Sequence, residues 1–146
     1  MIAREIGDRQ GEGATLGNLG EAYSSLGEYR RSIEYHEQHL TIAREIGDRH
    51  SEGNAFGNLG NAYASLGEYR CAIDYHEQAL AILREIGDRQ GEGKVLLKAA
   101  LALDAIGERA EAVARMRAAE AIFSAIESPV VEKARAQLAA WQVDRR

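Results

Sequence analysis

One stretch of about forty residues occurs twice almost intact and a third time in outline, which constrains the fold more than any other feature of the chain. Asp8 to Gly47 reads DRQGEGATLGNLGEAYSSLGEYRRSIEYHEQHLTIAREIG, and Asp48 to Gly87 reads DRHSEGNAFGNLGNAYASLGEYRCAIDYHEQALAILREIG. About two-thirds of these positions are identical. The third copy, Asp88 to Glu127, diverges but keeps GDRQGEG, then IGER, then an Ala-rich apolar stretch ending in Ile122 and Ile126. A unit this short cannot bury its apolar faces alone, so neighbouring units must stack.

Each unit reads as two helices. Gly7 suits the left-handed position that ends a preceding helix, and Asp8 then suits an N-cap. The first helix is expected from about Arg9 to Leu26, with Leu16, Leu19, Tyr23 and Leu26 on one face of a 3.6-residue period. Gly27 ends it. The second helix carries Ile33, Leu40 and Ile46 inward. No strand alternation appears, and a single proline suits a helical chain. The fold class is therefore all-α, a solenoid of helical hairpins. One domain over 1–146 is expected, with repeats at 8–47, 48–87 and 88–127 and a capping helix and tail at 128–146. Ser128 and Pro129 are a good cap and first-turn residue, and Val130, Ala134, Leu138 and Trp141 form the apolar stripe of that helix. The pair Ile-x-x-x-Ile closes every second helix, as Ile42/Ile46, Ile82/Ile86 and Ile122/Ile126. Ile2 and Ile6 match it, so residues 1–7 are expected to be the end of a second helix from a truncated repeat.

Composition narrows the function classes. A net charge of -5 disfavours a general nucleic-acid partner, and no apolar run is long enough to span a membrane. A lone cysteine, Cys71, fits a cytoplasmic protein without disulfides. No nucleophile elbow, phosphate loop or dinucleotide fingerprint is present, so neither enzyme activity nor a cofactor is expected. The sequence HEQH, His36 to His39, spaces its histidines three apart rather than four, and Ala79 stands in for His39 in the next unit. No metal site is expected there, and His36 and His76 are read as packing residues.

The units resemble tetratricopeptide repeats through Leu19, Gly20 and Tyr23 in the first unit and Leu59, Gly60, Tyr63, Ala72 and Ala79 in the second. The forty-residue form is most similar to the repeats of Pins/LGN polarity adaptors and of bacterial signalling and regulatory proteins. The resemblance implies a right-handed superhelix whose first helices line a concave groove. The groove positions it implies include Ala14, Gly17, Asn18, Glu21 and Ser25 in the first unit. In the second they are Asn54, Gly57, Asn58, Asn61 and Ser65, and in the third Lys94, Leu97, Lys98, Leu101 and Ala105.

These residues carry the functional expectation. An Asn side chain donates and accepts, so Asn18 and Asn58 could form a ladder along the backbone of an extended peptide. Gly17 and Gly57 leave room for that backbone, whereas Gly20 and Gly60 are read as sites of close helix packing. Lys94 and Lys98, one turn apart, could receive an acidic side chain or a terminal carboxylate. The leading expectation is a scaffold whose groove holds a peptide from a protein partner or a parent chain. The alternative is self-association through the open N-terminal edge around Ile2, Ile6, Thr15 and Ala22, as a homodimer or a stacked assembly.

Overall fold

A computed structural model describes residues 2–144. These form α1 (Ala3–Ser25), α2 (Tyr29–Ile46), α3 (Arg49–Ser65), α4 (Tyr69–Ile86), α5 (Arg89–Ala105), α6 (Arg109–Ala125) and α7 (Val131–Asp144), with no strand among the described residues. Each helix packs against its neighbours in sequence, giving the hairpins α1–α2, α3–α4 and α5–α6 with α7 laid on α6. Among the first helices, α1 also reaches α3 and α3 reaches α5. No comparable contact joins α2 to α4 or α4 to α6, so the first helices lie on the inside of the curve.

The corner between one hairpin and the next explains why the phrase REIGDR is copied. Gly47 and Gly87 adopt φ of 71° and 75°, the left-handed conformation that ends α2 and α4. Asp48 and Asp88 then cap the following helices, accepting from the Ser51 N–H at 3.1 Å and the Gly91 N–H at 2.9 Å. Glu52 and Glu92, one turn further on, are buried between arginines. Arg84 Nε and Arg89 Nη1 donate to Glu92 at 2.9 and 2.8 Å, and Arg44 and Arg49 hold Glu52 at 3.5 and 2.9 Å. Arg49 at the start of α3 also pairs with Glu85 near the end of α4, and Arg9 within α1 pairs with Glu45 near the end of α2. A buried carboxylate with two arginine partners avoids the cost of an unpaired charge.

The first copy departs from this pattern. Gly7 and Asp8 do not break a helix but lie inside α1, which starts at Ala3 with Ile2 as its cap residue. A left-handed glycine interrupts the i→i−4 ladder, and packing of the returning chain must offset that loss. Ile2 and Ile6 are exposed, so little packing of residues 2–6 is available to offset a broken ladder, and the helix runs on. The expected boundary at residue 7 is corrected accordingly.

Inside each of the first two hairpins one glycine faces one histidine. His36 and His76 are buried, and a Cβ added at Gly20 or Gly60 would lie 2.6 Å from the facing imidazole. Burial pushes both rings down to about 4, with the charge of His39 adding to the effect at His36 and that of Lys98 at His76. The third hairpin replaces the pair with Ala100 and Met116, both fully buried. The core runs from Leu59 and Leu80 through Leu96 and Met116 to Phe123, and Trp141 of α7 closes it beneath the Arg109 guanidinium, 5.3 Å from the ring centroid.

Two outcomes follow from this packing. Gly60→Ala gains about 1 kcal/mol of helix propensity but overpacks His76, and is expected to destabilise the fold by about 1–3 kcal/mol. Gly57→Ala meets only Val95 Cγ2 at 3.8 Å and should stabilise it; urea unfolding of both variants checks the opposite signs. Because His36 and His76 take up protons more readily unfolded than folded, stability should hold above pH 6.5 and fall by a few kcal/mol toward pH 4. Unfolding midpoints measured across that interval read the effect.

Candidate functional site

The inward face of the array is built from α1, α3 and α5. Residues three and four apart on one helix share a face, so Asn18 and Glu21 on α1, Asn54, Asn58 and Asn61 on α3, and Lys94 and Lys98 on α5 face the same side. Of the fifteen groove positions that the resemblance implies, eleven border one open cavity of about 670 Å³, Gly17 and Gly57 included. Ala14 and Leu97 are among the eleven, whereas Ser25, Ser65, Leu101 and Ala105 do not border it.

The polar groups of this cavity are available. Asn18 and Asn61 are exposed and Asn58 half-buried, and none of their side-chain amides is hydrogen-bonded among the described residues. Asn54 Nδ2 lies 3.4 Å from His50 Nδ1, a weak contact at the edge of hydrogen-bond geometry. Leu83, Val95 and Leu97 supply an apolar floor. This combination of apolar lining with a few convergent polar groups is the usual composition of a ligand site.

The two glycines at the groove differ. At Gly17 the space expected for a ligand backbone is taken by His39, whose Nδ1 would lie 2.8 Å from an added Cβ. Burial lowers the affinity of the His39 ring for a proton, against the pull of Asp48 and Glu21. At Gly57 the corresponding second-helix residue is Ala79, and the space stays open. One substitution between two near-identical repeats therefore places the recess over α3. His36 and His39 press on different glycines, Gly20 and Gly17. No group of three or more His, Cys, Asp or Glu side chains is placed to hold a metal among the described residues.

Some lining residues escaped the sequence reading. His39, weighed only as a metal ligand, was legible from its exchange for Ala79 opposite a shared glycine. Val130 and Lys133 come from α7, so the capping helix is also a wall of the groove. A second cavity of about 130 Å³ continues under that wall, lined by Leu97, Lys98, Leu101, Met116, Lys133 and Gln137. No helix among the described residues is long and apolar enough to cross a membrane.

Comparison with solved structures places this architecture. The TPR domain of Arabidopsis FLU superposes with a TM-score of 0.77 at 21% identity, covering 80% of this chain and 98% of that one. Aspartyl phosphate phosphatase F from Bacillus subtilis gives a TM-score of 0.88 at 17% identity over 94% of this chain, which spans only 38% of that protein. A Signal Transduction ATPase with Numerous Domains from Pyrococcus horikoshii, with a tetratricopeptide repeat sensor, gives 0.78 at 23% identity, covering 97% of this chain and 22% of that one. These likenesses concern the fold. No curated protein matches the sequence. A family model, described as tetratricopeptide repeat, matches residues 11–85 and 51–125. With seven helices among the described residues, copied corners and an inward-facing groove, the chain belongs to the tetratricopeptide repeat family.

Proposed function

We propose that this domain is a scaffold for protein–protein interaction whose groove holds a peptide segment of a partner. The observation that carries the reading is the set of amides on α1 and α3, unbonded at Asn18, Asn58 and Asn61, above an open apolar floor. An extended peptide has unpaired backbone N–H and C=O groups, and an Asn side chain can satisfy both kinds. The recess at Gly57 gives one peptide residue a place to descend, and Lys94 and Lys98 offer a carboxylate anchor at one end. The tetratricopeptide fold is used for protein and peptide binding across unrelated proteins, so the partner must be read from the groove and not from the scaffold.

Selection from a displayed octapeptide library tests the reading. The wild type is expected to enrich a shared motif that the Asn18→Ala/Asn58→Ala double variant does not. Equal enrichment by both would exclude the amide ladder, and none by the wild type would exclude the groove. Filling the recess with Gly57→Leu should weaken the selected peptide about tenfold or more without unfolding the domain, read by titration calorimetry.

A second reading, self-association through the outer face of α1, has its own support. Leu19 is 39% exposed, whereas its counterpart Leu59 is 0% exposed under α2. Thr15 and Ala22 are likewise exposed where Ala55 and Ala62 are buried. Concentration-dependent mass in sedimentation experiments, abolished by Leu19→Glu, is the expected result if that face pairs. A monomer at every concentration excludes it.

A further inference from the structure

Glu52 and Glu92 are each held by two arginines, one from their own helix and one from the end of the second helix before it. Among the described residues their counterpart Glu12 has only Arg9, at 2.7 Å, and shares it with Glu45. The Glu12 side chain is 54% exposed, against 11% for Glu52 and 7% for Glu92. Arg4 stands in the sequence where Arg44 and Arg84 stand, but α1 runs on through Gly7 and leaves it about 12 Å from Glu12 along the axis. The same side of α1 is bare further on. Thr15, Leu19 and Ala22 are exposed, whereas Ala55, Leu59 and Ala62 are buried on α3, which α2 covers, and Val95, Ala99 and Ala102 on α5, which α4 covers. Glu5, Asp8 and Glu12 lead into this row at steps of three and four, so one face is acidic at its start and apolar beyond.

We infer that this face docks an amphipathic helix of a partner protein, laid antiparallel to α1, with aliphatic side chains on Thr15, Leu19 and Ala22 and an arginine near its C-terminal end on Glu12. The two covered corners supply the template. α2 and α4 each turn back into the helix they cover, so Arg44 and Arg84 in their last turns meet Glu52 and Glu92 in the first turns of α3 and α5. A cation is also favoured at the C-terminal end of the docked helix by its own dipole. Small Thr15 and Ala22 on either side of Leu19 leave hollows into which the ridges of another helix fit. A second copy of α1 fits less well. Laid parallel, it opposes carboxylate to carboxylate, and laid antiparallel along its whole length, it sets carboxylates against Leu19. Docking of this kind shares the exposed face with the self-association reading above but needs neither self-association nor the groove, so a monomeric chain leaves it standing.

The probe is a fluorescein-labelled peptide copying α2, Tyr29–Ile46, titrated with the full chain and read by fluorescence anisotropy. Wild type is expected to bind it. Leu19→Glu, at an exposed site, should weaken binding about tenfold or more. Glu12→Gln in the protein and Arg44→Gln in the peptide should each weaken it about threefold, and together no more than either alone, because they remove one contact. No binding by wild type, or equal binding by Leu19→Glu, would overturn the docking face. Additive losses from Glu12→Gln and Arg44→Gln would overturn the antiparallel arginine contact. Sedimentation completes the test: a dimer that excess peptide fails to dissociate would give the face to a second copy and overturn the partner helix.

Discussion

The contact of an imidazole with a bare backbone sets the geometry of this array. His36 on Gly20 and His76 on Gly60 let paired helices approach closer than any side chain at the glycine would allow. That approach brings α1 to α2 and α3 to α4 at a fixed register and so decides which face of each first helix turns inward. The contact tolerates only a matched change. In the third hairpin a methyl group replaces the glycine hydrogen and the flexible Met116 replaces the rigid ring. It also demands a neutral imidazole, because a charged ring in that gap would lack solvation.

Charge is divided by residue type. Arginine, planar and able to hold two carboxylates at once, occupies the corners, where Glu52 and Glu92 are buried. Lysine occupies only the groove wall. The corners thus carry the acidic side chains in internal pairs, while the groove presents amides on α1 and α3 and cations on α5 and α7. The inner surface therefore changes chemistry from one end to the other, although its first two repeats are nearly the same sequence.

Much of this was legible in the residues. The forty-residue period gave the hairpins, and steps of three and four gave the apolar faces, whereas the groove positions came only from the family resemblance. The break at Gly7 was misread because the same letters occur in another setting. Local sequence permits either a left-handed turn or a continued helix there, and only packing at the later copies selects the turn. The burial of Glu52 and Glu92 was missed because one partner of each, Arg44 or Arg84, lies eight residues back across a corner, a separation with no signature in helical periodicity. Internal comparison held a signal for the hairpin contact, since Gly20/His36 and Gly60/His76 change together into Ala100/Met116. Lys133 escaped because a capping helix is read for its apolar stripe, and nothing in the stripe says that its other side borders the groove.

The difference between His39 and Ala79 has a consequence for how such arrays diversify. Two duplicated units inherit the same glycine, and whichever unit keeps the histidine has a sealed surface while the other has a recess. Exchange at a single position therefore moves a binding pocket by one repeat along the solenoid without touching core, corners or capping helix. Duplication supplies the scaffold in whole units, and specificity can then evolve one residue at a time, largely free of the constraints that hold the fold together.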